Sequence, residues 1–163
     1  WSHPILPPFR LIATMNTWDK TSLFRLSYAV QRRFAMIHVG LPEDSVMHQI
    51  IEQQATKDGR HPPLDDADRQ AMVALFSRDS LLQHRPIGPA VPRDMVRFMR
   101  ARKAGPDGLA DAVAAYLLPQ LEGLDRETGV KVRKLLTEQV GGRATPDART
   151  ALEHRLDEFL PRA

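Results

Sequence analysis

Asn16 follows an apolar run over residues 9–15, and the pair Arg32-Arg33 closes a helical repeat further along the chain. An amide at a strand end both donates and accepts hydrogen bonds, so it can hold a water molecule in a fixed orientation; asparagine is equally at home in a turn. A guanidinium binds phosphate through a planar fork and keeps its charge, whereas at a helix C-terminus it also meets the helix dipole, for about 0.3–1 kcal/mol. Asp19 is spaced to bond the local backbone or to orient a neighbouring arginine. Arg93 and Arg97, one helical turn apart, follow Gly88-Pro-Ala-Val-Pro92. Their plain reading is an exposed helix face. A water-orienting amide and charge-neutralising arginines are parts that phosphoryl transfer to water uses.

These side chains need elements to hold them. The run over 9–15 lies behind Pro7-Pro8 and carries β-branched Ile12 near its centre. It reads as a buried strand, with Asn16 at the carboxyl end, where ligands collect in open α/β sheets. Thr21 or Ser22 suits an N-cap. Leu23, Leu26 and Val30 repeat at helical spacing and predict about three turns ending near Arg33. Residues 35–39, closed by Gly40-Leu-Pro42, read as a second and last core strand.

From Glu43 onward the pattern is helical, with apolar stripes over 44–56, 65–79, 92–103, 108–123, 127–140 and 146–160. The breaks at Gly59-Arg-His-Pro-Pro63, Arg85-Pro86 to Pro92, Ala104-Gly-Pro106 and Gly141-Gly142 are turn chemistry. Pro92 suits a first turn, whereas Pro119 falls inside a stripe and is expected to kink or split it. The expected fold is mainly α with a short β remnant. Residues 1–42 are read as the end of an α/β core, with two short strands and one helix, and residues 43–163 as an all-helical domain.

The 163 residues contain no cysteine, which excludes disulfides and thiolate metal sites, and the six histidines lack metal-ligand spacing. A metal-free, cytoplasmic polypeptide is expected, any metal arriving with a nucleotide. No apolar run approaches the ~20 residues of a membrane span, so no membrane association is expected. The net charge of +3, from 23 basic and 20 acidic residues, is spread along the chain rather than massed on one helix. That falls short of a nucleic-acid footprint.

Two segments, Thr14-Met15-Asn16-Thr17-Trp18-Asp19 and Ala29-Val30-Gln31-Arg32-Arg33-Phe34, carry a family pattern: Thr-Met-Asn-Thr-x-Asp, then Ala-x-x-Arg-Arg-Phe. On these the chain resembles the AAA+ ATPases, most closely the McrB-like branch of restriction NTPases. The resemblance is strong over 9–42, looser over 85–98, and reaches 116–124 only in phrases such as Tyr116-Leu-Leu-Pro-Gln-Leu-Glu-Gly-Leu124. It implies that Asn16 is the sensor 1 residue beside the terminal phosphate, with Asp19 close to the nucleotide. It also implies that Arg33, supported by Arg32, is an arginine finger acting on the neighbouring subunit. Arg93 takes the place of the sensor 2 arginine of the lid, with Arg97 one turn later as substitute.

The cofactor so implied is ATP or GTP with magnesium, and the assembly a homo-oligomeric ring of six subunits, with a nuclease subunit and DNA as partners. The Gly-x-x-x-x-Gly-Lys-Ser/Thr phosphate loop does not occur in these residues, nor does an apolar strand ending in paired acids. The chain is therefore expected to be the C-terminal part of such an NTPase, sensor 1 and arginine finger followed by a helical lid, and inactive by itself. The rival expectation is a non-enzymatic helical interaction or adaptor domain derived from an AAA+ protein.

Overall fold

In the computed structural model, residues 10–14, 28–56, 61–102, 105 and 107–162 are described. The chain divides into two compact units, Trp1–Val39 and Gly40–Ala163.

In the first unit a single turn of helix, α1 (Tyr28–Gln31), ends where the Arg32 amide donates to the Tyr28 carbonyl at 3.1 Å. Residues 10–14 and 35–39 belong to no regular element and are exposed, Ile12 to 87% and Ile37 to 85%. The two strands expected over 9–15 and 35–39 are thus not formed over the described residues, and those apolar side chains are not buried. The physical reason lies in the backbone: a strand is completed by the amides and carbonyls of a neighbour, and the described residues offer none to pair with. Of the three-turn helix expected up to Arg33, the described part is this last turn.

The regular elements among the described residues of the second unit are all helical. Its elements are α2 (Asp44–Thr56), α3 (Asp66–Leu75), α4 (Leu81–His84), α5 (Ala90–Ala101), α6 (Gly108–Ala112), α7 (Arg126–Leu136) and α8 (Pro146–Phe159). Side-chain caps set three of the starts. Asp65, Asp125 and Thr145 accept from the amides of Asp68, Thr128 and Ala148 at 2.7, 2.9 and 3.4 Å, so each closes an amide that its helix leaves open. Pro146 follows Thr145 at the first helical position, where no amide hydrogen is needed.

The apolar stripes correspond to these helices, with two differences. The stripe expected over 65–79 stops at Leu75, and the short helix α4, which buries Leu81 and Leu82, was not foreseen. The stripe over 108–123 is not one straight helix either: α6 passes into a π turn (Val113–Leu117) and then a 3₁₀ turn (Leu118–Leu121). Pro119 explains the change, since it has no amide hydrogen and its ring would strike the carbonyl four residues back. The ladder widens accordingly, and the Leu118 amide reaches the Val113 carbonyl. A second π turn (Thr137–Gly141) extends α7, with the Gly142 amide bonded to the Thr137 carbonyl at 3.1 Å.

One apolar core runs through the unit, drawing Met47 and Ile51 from α2, Met72 from α3, Met95 and Met99 from α5, and Leu136 from α7. The pair α2 and α5 makes the most extensive contact between helices. Within it lies a cation. Arg100 is 2% exposed, and its guanidinium donates to the carbonyls of Gln54 at 2.8 Å, His61 at 2.6 Å and Pro62 at 2.9 Å. Gln54 belongs to the last turn of α2, whose carbonyls have no partner in their own helix, so Arg100 supplies one.

Candidate functional site

Arg32 and Arg33 follow the last residue of α1 and are exposed. The Arg32 guanidinium lies 5.5 Å from the centroid of the Tyr28 ring, one turn back, a cation–π contact that at an exposed position contributes about 0.5–1 kcal/mol. Asn16 and Asp19 lie outside the described residues.

Arg93 and Arg97 belong to the second unit and stand on the exposed side of α5. Pro92 occupies the first turn of that helix, and the Arg93 amide donates to the Pro89 carbonyl at 3.3 Å. Both side chains converge on one carboxylate: Arg93 Nε lies 3.5 Å and Arg97 Nη1 3.6 Å from Oδ1 of Asp94. These are long separations between half-exposed groups, and such pairs contribute about 0–1 kcal/mol. One carboxylate between two guanidiniums leaves positive charge uncompensated. Exchange of Asp94 for another anion, such as a phosphate oxygen, therefore costs little.

Asp94 was not singled out from the sequence, nor was Arg100. The signal for Arg100 was present: it falls four residues after Val96 on the stripe that α5 buries, where an arginine must find acceptors or unfold the site. Asp68 is another buried polar residue in this unit, 4% exposed, with Arg143 Nη2 at 3.3 Å from its Oδ1. Burial pushes its carboxyl above the ordinary range, the Asp65 carboxylate adds to this, and Arg143 opposes it.

Among the described residues, no group of three or more His, Asp or Glu side chains is placed to hold a metal ion. No described helix is long and apolar enough to cross a membrane. No protein-family model, no curated protein and no solved structure matches this chain.

Proposed function

We propose that the chain supplies the C-terminal part of an AAA+ NTPase of the McrB-like kind, which hydrolyses ATP or GTP with magnesium in a ring, probed best as a hexamer. The observation that carries this reading is the pairing in the sequence of Thr14-Met15-Asn16-Thr17-Trp18-Asp19 with Arg32 and Arg33, which directly follow α1 and stand exposed to solvent. Asn16 orients the attacking water. Arg33, with Arg32 in support, neutralises charge developing on the phosphoryl group bound by the neighbouring subunit. Arg93, with Arg97 as its substitute, holds phosphate oxygens within its own subunit, and the loose pairing of both with Asp94 suits that exchange. Asp19 stands close to the nucleotide. Magnesium, when bound, would neutralise phosphate charge, and its ligands would come from the N-terminal half of the NTPase. The cycle drives remodelling or translocation of DNA or a protein partner, with a nuclease subunit as the partner in a restriction system and the cytoplasm as its place of action.

The test is nucleotide hydrolysis by the polypeptide of the full reading frame, compared with its Arg33→Ala variant. A loss of about 10³-fold or more is expected for a trans-acting arginine. A reading frame without a phosphate loop, or a variant as fast as its parent, overturns the proposal. The alternative, a non-enzymatic helical interaction or adaptor domain, draws on the second unit's continuous apolar core, which needs no nucleotide to close it. Hydrolysis by the full polypeptide rules that alternative out.

A further inference from the structure

We infer that Arg100 is a positioning residue: it sets the pose of α5 and so determines where Arg93 is presented. This rests on the reading of Arg93 as a phosphate ligand.

The argument begins with the cost of burying a guanidinium. An isolated buried cation is strongly unfavourable unless its donors are satisfied. At Arg100 they are met by backbone carbonyls from two segments, Gln54 in α2 and His61 with Pro62 in the connection towards α3. Hydrogen bonds from a charged donor are the stronger kind, and three acceptors arranged around a rigid planar fork fix position and rotation together. Apolar packing of α5 against α2 does not do this by itself. The apolar residues that α5 buries include Met95 and Met99, whose unbranched side chains adapt to small shifts of a helix along or about its axis.

Arg93 lies seven residues before Arg100 on the same helix. That is nearly two turns, about 10 Å along the axis, with Arg93 exposed near the start of the helix and Arg100 buried near its end. A slide or rotation of α5 at Arg100 is therefore transmitted to Arg93 through a continuous hydrogen-bonded ladder. Arg93 itself has a loose partner, Asp94, on its own helix, which moves with it. Nothing local to Arg93 among its described ion pairs ties it to another element, so the anchor at Arg100 decides its placement.

The experiment is a double-mutant cycle in the full-reading-frame enzyme, using Arg93→Ala, Arg100→Lys and the double variant, with KM and kcat for ATP and GTP and the thermal midpoint of each. Lysine keeps the charge but cannot present a fork to three carbonyls. Arg100→Lys is expected to raise KM by about tenfold, the factor of one lost charge-assisted hydrogen bond, with kcat changed less. The double variant should have the KM of Arg93→Ala alone, since both changes remove one contact. Multiplied effects, or a lowered thermal midpoint with KM unchanged, make Arg100 a stability residue and overturn the inference. If Arg100→Lys does not fold, Arg100→Gln, which keeps an amide donor, is read by the same criteria. An Arg93→Ala enzyme with unchanged KM overturns the inference together with the assignment of Arg93. A normal Arg93 effect without Arg100 coupling overturns the inference alone.

Discussion

The Arg143 guanidinium lies 3.3 Å from Oδ1 of Asp68, a carboxylate on α3 that is almost wholly buried. The pair ties α3 to the turn that follows the second π turn. It does not fully offset the removal of the charge from water, because burial and the neighbouring Asp65 carboxylate together raise the Asp68 carboxyl more than Arg143 lowers it. A carboxyl raised in the folded state stabilises the fold fully only below its ordinary value of 3.8, and that contribution is lost as pH rises through the folded value. Asp68→Asn is therefore expected to be more stable than its parent at neutral pH, with the difference closing in acid. Urea midpoints of both proteins at pH 7 and pH 4 check this, and a variant that is less stable at pH 7 refutes it.

Asp157 shows the opposite sign. It accepts from Arg162 in the C-terminal tail and from Arg133 on α7, the latter at 2.5 Å, and these hydrogen bonds pull its carboxyl down to about 2. A lowered carboxyl contributes stability above its ordinary value of 3.8, and the contribution disappears as pH falls through about 2. Asp157→Asn should be less stable than its parent at neutral pH and approach it only below about pH 2. A gap that persists unchanged into strong acid would show that packing, not charge, is what the substitution disturbs.

The tail is also held sterically. A β-carbon on Gly129, within α7, would lie 2.6 Å from Cδ and 2.8 Å from Cγ of Pro161. Gly129→Ala gains up to about 1 kcal/mol of helix propensity but overpacks this contact, which typically costs about 1–3 kcal/mol. A net loss is expected in chemical denaturation, restored by adding Pro161→Ala. Stabilisation by Gly129→Ala in the otherwise unchanged chain is incompatible with the contact.

For Asn16, a water-orienting role means that Asn16→Ala in the full-reading-frame enzyme lowers kcat while nucleotide affinity stays close to that of the parent. Steady-state kinetics with a separate binding titration distinguish the two. An unchanged kcat returns Asn16 to the role of a turn residue.

Arg33 is tested by mixing. Subunits carrying Arg33→Ala are combined with subunits disabled in the phosphate loop. Interfaces that join an intact loop to an intact Arg33 should recover part of the activity, and Arg33→Lys should rescue poorly because a point charge lacks the bidentate fork. Mixed rings that assemble but remain inactive exclude the trans role.

Helix periodicity by itself determined most of the second unit. The stripes at 44–56 and 146–160 correspond closely to α2 and α8, because one buried face, and at α8 the cap from Thr145, are local properties of consecutive residues. Pro119 was legible for the same reason, since a missing amide hydrogen acts within one turn. The strands expected over 9–15 and 35–39 had no such local guarantee: their apolar character was visible, but a strand depends on a partner remote in the chain, and the described residues hold none. Asn16 and the arginine pair could be picked out by residue type and spacing, yet types and spacing say nothing about which groups meet. The sharing of Asp94 by Arg93 and Arg97 is local to α5, whereas the burial of Asp68 beside Arg143 and the seating of Arg100 on three carbonyls were decided by tertiary structure. Both of the latter depend on which surfaces pack together, and a guanidinium inside a core is tolerable only where packing has already brought unpaired carbonyls within its reach.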